Sequence, residues 1–364
     1  MAQLLAEIQW GAPILQPVAN PAWEAEIKRR GGRVAEVDRR VSPSPWLREA
    51  CLQVTTYRPS QISPRLTNIG MLVISQENSC RYCYGANRAY MKILGYPESF
   101  ISRIERDARM AELDDMERGF IAFCRNLARS RPRPARAERE ALIKLGYSPL
   151  AVNEIAFLIS LGCFYNRIGI LAACPPEHGF ERMANGLMGR LIGFAAPLVR
   201  SLAAAKPSMS GGPAPDAAAL AGGAFGQVVS SLAGLQGASV MKTALDGAFA
   251  STVLSRRIKA LMFAVVGRTL GCRHTEDGAR KLLASEDFDD AEFEATLATL
   301  DSKRLSADES LLLSWVRDTV YYQTGAIQSQ TRALTARLGE TVMLEAIGVA
   351  ALANGTVRLA MLLE

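Results

Sequence analysis

Residues 69–83 read IGMLVISQENSCRYC, so that an apolar run ends in a pair of cysteines. A weaker copy follows 192 residues later, where residues 261–275 read LMFAVVGRTLGCRHT. The copy keeps its first cysteine as Cys272, and Thr275 stands where its second would be. These two stretches indicate a duplicated module in which at most one copy keeps a working dithiol.

The repeat continues beyond the cysteines. Matched residues stay 192 positions apart through the next part of each copy and 191 apart near its end. An offset that holds within one residue over about ninety positions indicates duplication of a whole structural unit. The pairs at 192 are Glu117 and Glu309, Phe123 and Trp315, and Arg125 and Arg317; those at 191 are Glu154 and Glu345, and Arg167 and Arg358.

The composition is that of a globular chain with room for two domains. Of its 364 residues, 49% are hydrophobic and 21% are charged, which excludes a disordered composition. The net charge of +6 is mild. The densest basic stretch, residues 29–40, contains no interleaved aromatic residues, so we interpret it as a solvated segment. We therefore expect no nucleic-acid partner.

Cysteine usage and the N-terminus favour a reducing compartment. Seven cysteines at irregular spacing do not form a secreted disulfide framework. The first residues lack a basic segment and are interrupted by Glu7, unlike a signal peptide. The longest uncharged stretch, 217–241, is diluted by Gly, Ser and Gln. We expect a cytoplasmic protein without a membrane span.

Helical periodicity begins at Trp46, and no segment alternates like a strand, so the sequence predicts an all-α chain. Ser148-Pro149 predicts an N-cap followed by proline at the first helical position, and Ser79 is expected to cap the helix that opens at Cys80. The predicted helices are 46–57, 65–78, 80–94, 107–130, 137–145, 149–174, 255–270, 273–285, 290–299, 306–322, 327–338 and 340–363. The chain divides into an N-terminal extension (1–44), a first domain (45–182), an apolar helix and flexible linker (183–234) and a second, degenerate domain (235–364).

Cys80 and Cys83 carry the candidate chemistry. A C-x-x-C pair at a helix start brings two sulfurs within disulfide reach, and the helix N-terminus favours the thiolate. Structural zinc is an alternative, but it normally needs four ligands, and the chain has only His178 and His274 as histidines. An inert structural pair is the other alternative. We predict no metal and no cofactor.

At these residues the chain resembles the carboxymuconolactone decarboxylase family, specifically its alkylhydroperoxidase D-like branch. The resemblance is carried by the run from Arg65 to Ser75 followed by Cys80-x-x-Cys83-Tyr84-Gly85-Ala86-Asn87, and it covers roughly residues 45–180 and 235–364. It implies two tandem helical domains that form a pseudo-dimer, and a homo-oligomer. It also implies a dithiol that reduces peroxides or passes electrons to a protein redox partner.

The family pattern includes a proton relay that this chain lacks. A Glu twelve residues before the first cysteine and a His four after the second move protons in the family. Asn68 and Asn87 occupy those positions here. In the second copy the same counts give Ala260 and Ala279. Both sites therefore depart from the family's acid–base chemistry.

Other side chains could support the first site. Glu77 precedes Cys80 by three residues, although a solvated or capping role is expected for it, and Tyr82 lies inside the C-x-x-C pair. His274 falls inside the lost pair, between Cys272 and Thr275, and is expected to be a polar residue at a helix start.

The carboxylates Glu154 and Glu345 lie inside apolar helices. Because buried acids need partners, we expect structural ion pairs with Arg167 and Arg358 through neighbouring helices or subunits.

Two functions stay open at this point. The first is a thiol-dependent oxidoreductase that uses Cys80 and Cys83. The second is a non-catalytic helical scaffold, or a subunit of a larger assembly, that kept the fold after losing the relay. The missing acid–base groups at Asn68 and Asn87 motivate the second function.

Overall fold

The computed structural model describes residues 3–186 and 220–363, apart from positions 132, 135, 221, 285, 287 and 322. This described part contains eighteen α-helices and no strand, which confirms the all-α prediction. The helices before position 186 are α1 Pro21–Arg29, α2 Glu36–Val41, α3 Pro45–Thr56, α4 Pro64–Glu77, α5 Arg81–Ile93, α6 Glu98–Arg106, α7 Asp115–Arg129, α8 Arg136–Lys144, α9 Pro149–Leu171 and α10 His178–Asn185. Those after position 220 are α11 Gly226–Ser230, α12 Gln236–Ala250, α13 Arg256–Leu270, α14 Arg273–Ala284, α15 Asp290–Thr299, α16 Ala307–Asp318, α17 Thr324–Leu338 and α18 Glu340–Ala360.

Local sequence signals start several of these helices. The Ser148 hydroxyl accepts a hydrogen bond from the backbone N–H of Ala151 at 3.1 Å, and Pro149 is the first helical residue, as predicted. The same arrangement starts α4, where Ser63 precedes Pro64. Each side-chain oxygen satisfies one of the N–H groups that a helix start leaves unpaired.

Helix starts recur along the chain at a nearly constant separation. The starts of α4, α5, α6 and α7 lie 192 residues before those of α13, α14, α15 and α16. The starts of α3 and α9 lie 191 residues before those of α12 and α18. The offset found in the sequence is therefore also an offset between helices.

The long helices α9 and α18 pack against each other at the centre of the molecule. Both are long and apolar enough to cross a membrane, with mean hydropathies of 1.4 and 1.6 over their most apolar windows. In this fold, 100% and 94% of those windows are buried. Core helices of a soluble protein have the same properties.

Two buried arginines link each half of the chain to the other. The guanidinium of Arg167 on α9 donates to the carbonyl oxygen of Val320, which follows α16, at 3.2 Å. The guanidinium of Arg358 on α18 donates to the carbonyl oxygen of Ala128, near the end of α7, at 3.0 Å. The receiving carbonyls are 192 residues apart, so each half meets the other through equivalent positions.

The predicted ion pairs of these arginines with Glu154 and Glu345 are wrong. Glu154 accepts a hydrogen bond from the Tyr57 hydroxyl at 2.9 Å and further bonds from the backbone N–H groups that follow. Glu345 accepts from the indole N–H of Trp46 at 2.8 Å and lies 3.8 Å from the ammonium of Lys259. The carboxylates therefore fasten the segments beside them, and the arginines bind backbone carbonyls.

The structure also corrects three helix boundaries and the description of the extension. The helix predicted at 107–130 is a 3-10 turn, Ala108–Met110, followed by α7, and neither α2 nor α6 was predicted. The N-terminal extension packs on the rest of the chain, with Ile14 and Leu15 buried. The apolar helix predicted at 183–204 and the linker after it lie mostly outside the described residues.

Candidate functional site

The cysteine pair lies at the start of α5. Cys80 is the N-cap residue, and its sulfur accepts a hydrogen bond from the backbone N–H of Cys83 at 3.2 Å. Ser79 has a φ of 52°, in the left-handed region, so the expectation that it caps this helix is wrong. The turn at Ser79 brings the Cys80 sulfur to the position that a capping oxygen usually occupies.

The two sulfurs are neighbours and both are enclosed. The Sγ atoms of Cys80 and Cys83 are 2.6 Å apart, and both residues are free cysteines in this structure. Their exposed fractions are 0% and 3%. Burial and the contact with Cys80 raise the pKa of the Cys83 thiol well above its usual value.

Gly169 on α9 makes the room for this pair. A Cβ atom at Gly169 would lie 3.1 Å from the Cys80 sulfur, 3.3 Å from the Cys83 sulfur and 3.2 Å from the ring of Tyr82. These distances are shorter than ordinary van der Waals contacts. The close approach of α9 to both sulfurs therefore depends on glycine at this position.

The acidic groups nearest the pair come from the N-terminal extension and the loop after α9. The Tyr82 hydroxyl donates to the Glu177 carboxylate at 3.3 Å. Glu177 also accepts from the backbone N–H of Glu36 at 2.7 Å and pairs with Arg33 at 3.0 Å. Asp38, one turn of backbone further along α2, is 3% exposed. Burial raises the pKa of its carboxyl group to about 6, and the nearby charge of Glu177 adds to that effect.

Two further groups close the surroundings of the sulfurs. Cys174 is buried, and burial raises the pKa of its thiol above the usual value, with a smaller contribution from the charge of Cys80. Burial likewise raises the pKa of Tyr165, with smaller contributions from Tyr82 and Asp38. The dithiol therefore lies among groups that keep their protons at neutral pH, apart from the neighbouring carboxylates.

The positions of the family relay do not face the sulfurs with acid–base groups. The Asn87 amide donates to the Ser75 hydroxyl at 2.9 Å and to the Met71 carbonyl at 3.3 Å, so it ties α5 to α4. Asn68 is half-buried on α4, and its side chain makes no hydrogen bond to any described residue. An amide exchanges no proton near neutral pH, so neither residue replaces the relay.

Glu77 is neither solvated nor a cap, contrary to the expectation. Its side chain is 2% exposed and pairs with Arg129 at 2.5 Å and with Arg125 at 3.5 Å on α7. Burial raises the pKa of this carboxyl group, and the two arginines oppose that rise. Glu77 lines a cleft of about 520 Å³ that Glu105 and Arg131 also border. It therefore belongs to a charged cleft at the end of α4.

The second copy keeps one thiol. The Cys272 sulfur lies 3.3 Å from the Thr275 hydroxyl oxygen, and both residues are buried. His274 is the second residue of α14, a helix-start position as expected. The residue 191 positions after Gly169 is Ala360, so the glycine that makes room for two sulfurs is also replaced here. This site cannot form an internal disulfide.

Sequence reasoning missed the groups that surround the dithiol. Gly169, Asp38 and Glu177 lie far from the C-x-x-C pair along the chain, and no spacing rule connects them to it. Cys174 was expected to be an ordinary thiol at a helix end. The one available signal was the composition of the extension, which places an acidic residue among buried valines, Val37 and Val41.

Metal binding and known relatives give no further assignment. Within the described ranges, no group of three or more His, Cys, Asp or Glu side chains could hold a metal ion. Comparison of the chain with protein-family models, with curated proteins and with solved structures gave no significant match. The functional argument therefore depends on the geometry of the cysteine pair and on the internal repeat.

Proposed function

We propose that this chain is a thiol-dependent oxidoreductase of the alkylhydroperoxidase D-like type, with Cys80 and Cys83 as its redox pair. The observation that carries the proposal is the 2.6 Å separation of the two sulfurs at the start of α5. A pair so placed exchanges two thiols for a disulfide without movement of the helix.

The proposed reaction reduces a peroxide and oxidises the dithiol. One thiolate attacks the terminal oxygen of ROOH, the O–O bond breaks, and the departing alkoxide takes a proton to become ROH. The resulting sulfenic acid reacts with the second thiol, which forms the disulfide and releases water. Two electrons pass from the sulfurs to the peroxide. An external dithiol or a protein redox partner must then reduce the disulfide.

The surroundings favour different roles for the two sulfurs. The N–H of Cys83 donates to the Cys80 sulfur, and such a donor stabilises negative charge at the start of a helix. The raised pKa of Cys83 keeps that thiol protonated. We therefore propose Cys80 as the attacking sulfur and Cys83 as the sulfur that resolves it.

Proton transfer would use local carboxylates in place of the family relay. The pKa of about 6 at Asp38 lies in the range that suits acid–base exchange near neutral pH. Glu177 is hydrogen-bonded to Tyr82, whose ring packs beside both sulfurs at Gly169. These groups supply the acid–base chemistry that Asn68 and Asn87 lack.

We also propose that residues 45–182 and 235–364 are tandem alkylhydroperoxidase D-like domains that form a pseudo-dimer. The recurring helix starts support this arrangement, as do the reciprocal hydrogen bonds of Arg167 and Arg358. A homo-oligomer and a cytoplasmic location belong to the same proposal. Light scattering that returns the mass of one chain would contradict the oligomer.

The test is oxidation of the purified, reduced protein by hydrogen peroxide and by cumene hydroperoxide. Mass spectrometry of non-reduced peptides should locate a disulfide between Cys80 and Cys83. The Cys83→Ser variant should lose that disulfide and any peroxide consumption. The Cys272→Ser variant is the matched control and should keep both.

A non-catalytic scaffold is the second candidate, and the burial of the dithiol favours it. Both sulfurs are nearly inaccessible to solvent, with exposed fractions of 0% and 3%. A peroxide must reach at least one of them. If the reduced protein consumes no peroxide and Cys80 and Cys83 never form a disulfide, the scaffold becomes the better assignment.

A further inference from the structure

We propose that residues 3–18, here called the N-terminal strap, are a movable cover whose opening admits reagents to the buried dithiol. This inference concerns access to the site of the proposed function and rests on that function only for its biological purpose. The strap crosses the surface where the start of α5, the end of α9 and the start of α17 meet.

One edge of the strap is fastened to the end of α9. The indole N–H of Trp10 donates to the carbonyl oxygen of Cys174 at 3.0 Å. The backbone N–H of Ile14 donates to the carbonyl oxygen of Ala172 at 3.0 Å. A short 3-10 helix earlier in the strap, Leu5–Glu7, contacts α5, which carries the cysteines. The strap therefore spans the two helices that hold the sulfurs.

The other edge is fastened to α17 by two side chains. Gln328 is buried; its amide oxygen accepts from the backbone N–H of Gly11 at 2.9 Å, and its amide nitrogen donates to the carbonyl oxygen of Ile170 at 3.1 Å. Arg332, one turn later, donates to the carbonyl oxygen of Ala12 at 2.6 Å. Gln328 thus joins the strap to α9, and Arg332 holds the strap from its outer side.

The dithiol lies beneath this crossing. Gly169 touches both sulfurs and is one turn of helix from Ala172, where the strap is bonded. The first residue of α17, Thr324, donates to the carbonyl oxygen of Ser79, next to Cys80, at 3.3 Å. Because the strap and these helix ends enclose the sulfurs, a reagent reaches them only after some part of the enclosure opens.

The strap is the part of the enclosure that costs least to open. It contains only one turn of 3-10 helix, and its bonds to Arg332 are exposed to solvent. The other walls are the buried helices α9 and α5. Local opening of a protein occurs where few apolar contacts and solvent-exposed hydrogen bonds hold a segment.

The test measures the rate at which N-ethylmaleimide labels Cys80 and Cys83 in the full-length reduced protein. The variants Trp10→Phe and Arg332→Gln each remove hydrogen bonds to the strap while leaving the helices intact. Each should speed the labelling of Cys80 and Cys83 on the order of fivefold, because one net hydrogen bond changes the opening equilibrium by about that factor. The matched control is Arg337→Gln on the same helix, which removes only an exposed pair with Asp308.

Two internal readings keep the result specific. Cys124 on α7 is fully buried away from the strap and reports global unfolding. Unchanged rates at Cys80 and Cys83 in both strap variants would overturn the inference, and so would a rise shared equally by Cys124. Faster labelling without any peroxide consumption would support the cover and contradict the proposed oxidoreductase.

Discussion

At the scale of single residues, one hydrogen atom decides how closely α9 approaches the dithiol. Gly169 has no side chain, and the two sulfurs and the Tyr82 ring occupy the space where one would begin. The sulfurs sit at the helix start because Ser79 adopts a left-handed turn and Cys80 becomes the cap. Three backbone choices therefore create the pair before any catalytic group is considered.

Gly169→Ala should separate the sulfurs or push α9 away from α5. The added methyl group would lie 3.1 and 3.3 Å from the two Sγ atoms. We expect a loss of about 1–3 kcal/mol in the free energy of unfolding and slower peroxide-dependent disulfide formation. Urea unfolding and mass spectrometry measure the two effects. Gly179→Ala is the control, because a Cβ there meets nothing within 4 Å.

Asp38 should make stability depend on pH in a definite direction. Burial raises the pKa of Asp38 from 3.8 to about 6, so the folded protein resists its ionisation. The contribution of the protonated group is fully present below about pH 4 and is lost as the pH rises through about 6. A shift of about two units corresponds to at most about 3 kcal/mol.

Asp38→Asn should remove this dependence. Its free energy of unfolding should change less between pH 4.5 and pH 7 than that of the unaltered protein, as measured by urea unfolding at each pH. Asn can still accept the N–H of Ala35, which Asp38 accepts at 2.8 Å. Asp107→Asn at an exposed site is the comparison. Identical pH profiles for Asp38→Asn and the unaltered protein would contradict the assignment.

At the scale of helices, α9 and α18 depend on polar groups inside an apolar interface. Arg167 and Arg358 are 1% and 0% exposed, and their guanidinium groups satisfy backbone carbonyls at the ends of helices in the opposite half. Helix ends leave carbonyl oxygens unpaired, and a buried one is costly without a donor. Each arginine therefore holds a helix end of the other half against the core.

Arg358→Met tests this role. Methionine fills much of the volume but leaves the carbonyl of Ala128 without its 3.0 Å donor in a buried position. We expect a loss of about 3 kcal/mol in the free energy of unfolding, measured in urea. Arg109→Met removes an arginine whose side chain is 86% exposed and should change stability little. Equal stability of the Arg358→Met variant would show that the carbonyl finds another donor.

Helices were predictable from the sequence where local signals specify them. Ser148-Pro149 fixed the start of α9 because a cap and a proline act within one turn. The short helices α2 and α6 were missed because they contain too few residues to show a periodic pattern. The partners of Glu154 and Glu345 were assigned wrongly because burial states that a partner exists without saying which segment provides it.

At the scale of the whole molecule, the two halves share one core. The principal hydrophobic cluster includes residues from both, among them Phe157 on α9 and Val349 on α18. The internal repeat revealed the helix order in advance, since a fixed offset survives sequence change. The path of the N-terminal extension was not predictable, because its contacts with Gln328 and Arg332 join positions more than 300 residues apart.

A shared core should make unfolding a single event. Trp46 lies in the first half and donates to Glu345 in the second, whereas Trp315 in the second half donates to Thr331. Their fluorescence and the far-ultraviolet circular dichroism should therefore change at the same urea concentration. Separate transitions for the single-tryptophan variants that retain Trp46 or Trp315 would show that the halves unfold independently.

The bond between Trp10 and Cys174 gives the protein an optical signal of its own. When the indole leaves that carbonyl for water, its emission should shift to longer wavelength, while an indole on the far side of the molecule keeps its colour. A variant with Trp10 as its sole tryptophan would then let stopped-flow spectroscopy time each exposure of the sulfurs without any added label.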